Sequence, residues 1–121
     1  MTPRAERPVI YGWAQAEKIP AFPRQVRRDI GNALYAAQQG EIDPASRPLK
    51  GFGGGSVLEI ITDQHGDTWR TVYMVRFKAA IYVLHAFQKK SKKGIAMPKK
   101  DLDLIQHRLA EAERLHRERH N

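Results

Sequence analysis

The chain has 121 residues, 41% apolar and 28% charged, enough for one core of ordinary size, and a single domain spanning 1–121 is predicted. It has no cysteine for a disulfide or thiolate metal site, no apolar run near the roughly 20 residues of a membrane span, and no apolar signal core behind its charged start, so a soluble, cytoplasmic protein is expected. A formal net charge of +8 at pH 7 points to a polyanion such as nucleic acid, the alternative being a basic surface with nothing to bind.

Val9 to Trp13, β-branched and aromatic after Pro8, reads as a first strand. Ala14 to Ile19 allows one helical turn before Pro20 and Pro23 stop it. Pro23 suits the opening of a new helix, on which Val26, Ile30, Ala33, Leu34 and Ala37 mark one buried face and Gly40 the end. Residues 41–56 read as a loop. Its glycines lack the Gly-Lys-Ser/Thr ending of a nucleotide P-loop and no helix pattern follows them, so they predict a turn into a strand.

Three strands are predicted next: Val57 to Thr62, Thr68 to Phe77 and Ala80 to Phe87, with turns at 63–67 and at Lys78-Ala79. On the middle strand Trp69, Thr71, Tyr73, Val75 and Phe77 share one face, and Thr68, Arg70, Val72, Met74 and Arg76 the other. The last strand is apolar on both faces, with Ile81, Val83 and Phe87 opposed by Tyr82, Leu84 and Ala86, so it is expected to be central or covered on both sides. Pro98 opens a final helix to about His116, striped by Leu102, Ile105, Leu109 and Ala112. The predicted class is α+β: a four-stranded, mostly antiparallel sheet with helices packed on one face, plus a C-terminal helix.

The positive charge is concentrated. Lys89, Lys90, Lys92, Lys93, Lys99 and Lys100 carry six of the net +8 charges with no acid among them, leaving +2 for the rest of the chain. A strand delivering a lysine cluster to one place could hold a polyanion, and a solvated charge run is the alternative. His85 has the ordinary pKa of a general base, but mid-strand it reads rather as a hydrogen-bonded core histidine; His65 lies in a turn, and His107, His116 and His120 on the last helix. None has metal-site spacing, so no metal is expected.

The segments R-P-L-K-G (47–51), V-L-E-I (57–60), W-R-T-V-Y (69–73) and I-Y-V-L-H-A-F-Q-K-K-S-K-K (81–93), in this order of elements, resemble the RelE/ParE toxin superfamily, and within it the HigB-like, phage-derived branch. The resemblance runs from about Val9 to Leu109. It implies the toxin of a type II toxin–antitoxin pair, with a small helix-turn-helix antitoxin as partner. It further implies a metal-independent endoribonuclease, without cofactor, that cuts mRNA on the ribosome when the RNA's own 2′-hydroxyl attacks the adjacent phosphate. A sister branch instead inhibits DNA gyrase, and a basic module acting only in an antitoxin or operator complex is a third reading. Two departures stand out: Met97-Pro98 replaces a common Thr-Pro, and no C-terminal catalytic tyrosine is present.

On this resemblance Arg70, Lys89 and Lys90 are the candidate catalytic residues, and Lys50, Lys92, Lys93 and Lys99 the candidate RNA contacts. Charge builds on the phosphate oxygens during the attack, so fixed cations around them are expected to contribute most to the rate. Arg70 offers a rigid donor fork on a strand; the alternative is a surface arginine paired with a carboxylate. Trp69 and Tyr73 fit base stacking and a core face equally well, and Glu59 and Tyr73 are weaker candidates for carrying protons.

Overall fold

The computed structural model describes residues 7–89 and 96–120. Lys90, Lys92 and Lys93 lie outside them. The order is β1 (Val9–Tyr11), α1 (Gln15–Lys18), a 3₁₀ turn (Ile19–Ala21), α2 (Arg24–Gln38), β2 (Ser46–Pro48), β3 (Val57–Gln64), β4 (Asp67–Met74), β5 (Ile81–Lys89) and α3 (Lys99–His120). Among the described residues no helix is long and apolar enough to cross a membrane.

The five strands form one sheet in the order β1-β5-β4-β3-β2. β2, β3, β4 and β5 pair antiparallel, while β1 runs parallel to β5, with Val9 opposite Ile81. The class is α+β as expected, with one more strand than the four predicted. The extra strand is β2, inside the stretch read as a loop. It is three residues long and holds Pro48, tolerable because an edge strand pairs on one side only. β5 lies between β1 and β4, in agreement with its apolar faces.

Helices cover both faces of the sheet rather than one. On the first face α2 buries Val26, Ile30, Ala33, Leu34 and Ala37 against Leu58, Ile60, Tyr73, Ile81, Val83 and Ala86. Each fully buried Val, Leu or Ile there contributes about 1.5–3 kcal/mol. Thr62 donates to Asp29 at 2.8 Å and ties α2 to β3. The helix ends where Gly40 takes φ 81°; Gly40 N–H bonds Ala37 O at 3.0 Å and Glu41 N–H bonds Ala36 O at 2.9 Å, the paired bonds of a Schellman ending. On the second face α3 buries Ile105 and Ala112 against Val57, Val72, Met74, Tyr82, Leu84 and Phe87.

The alternation along β5 is broken once. Val72 pairs with His85 but Tyr73 pairs with Val83, so β5 carries a bulge at Leu84. The bulge puts Leu84 and His85 in succession toward α3 and reverses the sides beyond it. Phe87 therefore packs with Tyr82 and Leu84, and Ala86 with Ile81 and Val83, the reverse of strict alternation.

Candidate functional site

Strand register gathers three charged residues on the α3 side of the sheet. Arg47 on β2 pairs with Glu59 on β3, whose partner on β4 is Val72, and Arg70 lies two residues along β4 on the same face, opposite Ile61 and Phe87. Arg47 Nε donates to Glu59 Oε1 at 3.0 Å, and Arg70 Nη1 lies 3.5 Å from Glu59 Oε2. Arg70 is 2% exposed and Glu59 4%. A charge this buried needs an opposite charge beside it, and the Glu59 carboxylate between two guanidiniums answers that need.

A cavity of about 570 Å³ opens beside this group, bordered by Arg47, Lys50, Glu59 and Arg70 on the sheet side and by Met97 and Leu102 on the α3 side. Three cations face one carboxylate there, so the lining carries a net two positive charges. The cavity is partly apolar and presents fixed guanidinium donors, which suits a phosphate attached to a larger group.

A second cluster centres on His85, buried on β5. Arg108 Nη1 lies 3.2 Å from His85 Nδ1 and donates to Leu84 O at 2.9 Å. A guanidinium only donates, so Nδ1 accepts, and the neutral ring carries its proton on Nε2, which donates to Asp101 at 2.9 Å. Burial lowers the imidazole's pKa below 6.5; the Asp101 hydrogen bond opposes this, and Lys18 and Arg108 add to the lowering. His85 is thus the hydrogen-bonded core histidine that its strand position predicts. It fastens the first turn of α3 to the sheet, and its ring stacks on Phe87 at 4.6 Å.

The remaining candidates divide. Lys50 joins Arg70 in the first cavity. Lys89 is 8% exposed, donates from Nζ to Ala96 O at 2.8 Å and lines a different cavity, beside His85 and Lys100. Lys99 is on the exposed first turn of α3, 3.9 Å from Asp103. Tyr73 and Trp69 belong to the opposite face: Tyr73 is fully buried with its hydroxyl 2.6 Å from Ser46 Oγ, and Trp69 packs on Phe22 at 4.6 Å. The Tyr73 ring is core, and Trp69 is partly buried against the same cluster. Burial raises the Tyr73 phenol above 10.0, against a smaller lowering by Ser46. Sequence reasoning missed Arg47 and the Asp101–His85–Arg108 chain, and gave Glu59 a minor part. The signal for Glu59 was available, as an acid set between Leu58 and Ile60 in the apolar half of β3.

Residues 17–110 match the family described as Phage derived protein Gp49-like (DUF891). The chain belongs to this family. It is a toxin-like family related to RelE- and HigB-type toxins. The match takes in both cavities' main residues, from Lys18 through Arg47, Glu59, Arg70 and Lys89 to Leu102. No curated protein and no solved structure matches the chain.

Proposed function

We propose that this Gp49-like protein is the toxin of a type II toxin–antitoxin pair and acts as an endoribonuclease on mRNA engaged by the ribosome. The observation that carries this reading is the cavity of about 570 Å³ with Arg70 in its wall and Arg47 and Lys50 at its rim. Membership of a toxin-like family gives the biological class, and implies an antitoxin made alongside it that covers the cationic face.

In this reading the scissile phosphate enters the first cavity. The 2′-hydroxyl attacks phosphorus, the P–O5′ bond breaks, and a 2′,3′-cyclic phosphate and a 5′-hydroxyl result. Arg70 and Lys50 meet the charge that builds on the non-bridging oxygens. Glu59 holds the Arg70 guanidinium in place before the RNA arrives, so little reorganisation is needed during reaction. Lys89 fastens Ala96 and with it the segment that leads into α3, next to the same cavity.

One observation favours a second reading, a toxin that inhibits a target such as DNA gyrase by binding alone: Arg70 is 2% exposed and already faces a carboxylate. Induction without antitoxin separates the two. The nuclease reading expects growth arrest with new transcript 5′ ends, relieved in part by Lys50→Gln and most strongly by a folded Arg70→Lys protein. Arrest with intact transcripts and altered plasmid supercoiling would replace it with the second reading.

A further inference from the structure

The second cavity holds about 520 Å³ and is unused by the chemistry above. Lysines from three elements surround it: Lys18 ends α1, Lys89 ends β5, and Lys100 lies in the first turn of α3. His85 and Phe87 also line it. The carboxylate at this cavity, Asp101, is engaged by the His85 ring at 2.9 Å. Three ammonium groups against one carboxylate leave a net two positive charges. Neither Lys18 nor Lys100 forms an ion pair with another described residue.

We propose that this cavity is a second phosphate subsite, which holds a backbone phosphate of the same single-stranded RNA that presents its scissile phosphate to Arg70. The inference rests on the nuclease reading for the identity of the strand. Its geometry is independent of that reading. Ala96 and Met97 border the first cavity and Pro98 borders the second, so one short segment separates them. A strand leaving one cavity across that segment meets the other.

The Lys18 ammonium is held below its usual pKa, first by burial and then by Arg108, against the pull of Asp101. A phosphate placed there would offset both the burial and the like charge. The same argument accounts for Lys100 in the first turn of α3, where a cation opposes the helix dipole. Phosphate recognition by ammonium groups carries no base preference, so this subsite would add affinity and register rather than sequence choice.

The test is binding of a short 2′-O-methyl RNA oligonucleotide, which cannot undergo 2′-hydroxyl attack, measured by fluorescence anisotropy between about 50 and 200 mM salt. Lys18→Gln and Lys100→Gln are each expected to weaken binding and to reduce the slope of log K against log salt by about 0.7–1. Lys78→Gln, in the turn at the far end of β5, should change neither quantity. Wild-type affinity and slope in both cavity variants would overturn the proposal, as would no binding by the wild-type protein. A response to inorganic phosphate without Lys18-dependent oligonucleotide binding would overturn the RNA assignment. Cleavage is scored separately. Arg70-dependent cleavage with unchanged Lys18→Gln binding rejects the subsite and keeps the nuclease, whereas Lys18-dependent binding without cleavage keeps the subsite and rejects the nuclease.

Discussion

Glu59 and Arg70 are diagonal neighbours across the β3–β4 ladder, 3.5 Å apart and both nearly out of contact with solvent. A buried pair of this kind stabilises little relative to an apolar pair of the same volume, but breaking it strands the survivor's charge. Glu59→Ala is therefore expected to cost about 3–5 kcal/mol in urea unfolding. The double variant Glu59→Leu/Arg70→Met should lose much less than the single one. A loss below about 1 kcal/mol for Glu59→Ala would mean that the other contacts of Arg70, or water, compensate its charge without cost.

The burial of His85 makes stability depend on pH. The folded state holds the imidazole's pKa below its ordinary 6.5, so the unfolded chain binds the extra proton first. Stability from this residue is complete above about pH 6.5 and is lost as pH falls from there through the lower folded value. Thermal unfolding of wild type and His85→Gln between about pH 5 and 8 should converge toward the acid end. A gap that stays constant across the range would show that the His85 contacts do not respond to protonation.

The β3–β4 hairpin turns through His65 and Gly66, with φ 52° and 82°, so a residue with a β-carbon occupies a left-handed position. Asparagine visits that conformation more readily. His65→Asn is expected to raise stability by ~0.5–1 kcal/mol, read as a higher urea midpoint at unchanged slope. A lowered midpoint would mean that the imidazole makes an interaction worth more than the strain.

Tyr73 is placed in the core with its hydroxyl on Ser46, pinning the edge strand β2. Tyr73→Phe should cost about 0.5–1.5 kcal/mol and leave toxicity on induction unchanged. Loss of toxicity from a folded Tyr73→Phe protein would assign the phenol a chemical part that its place on the far face of the sheet argues against.

Much of this arrangement is legible in the sequence where local pattern and tertiary burial agree. The stripe from Val26 to Ala37 predicts the face of α2 that is buried, and Gly40 marks its end. Alternation on β4 sets Arg70 with Val72 and Met74, away from Tyr73, as found. What sequence conceals depends on partners distant in the chain. β2 is too short and too polar to show a period, and only its pairing with β3 makes it a strand. The bulge at Leu84 adds no residue type of its own, yet it decides that His85 and Phe87 both face α3. Arg70 reads as an accessible phosphate clamp; it is buried on the face that α3 covers and its charge is met by Glu59, which no spacing rule links to it. The covering of the second face by α3 was likewise hidden, because an amphipathic stripe states that a helix packs but not on which side.

The chemistry of the RNA ends tests the central claim most directly. Purified wild-type protein, in a translation extract with a defined mRNA, is expected to yield 2′,3′-cyclic phosphate and 5′-hydroxyl termini, with the rate reduced about 10²–10³-fold in a folded Arg70→Lys protein. Intact mRNA, termini bearing 5′-phosphate and 3′-hydroxyl, or an unchanged rate in that variant would contradict it.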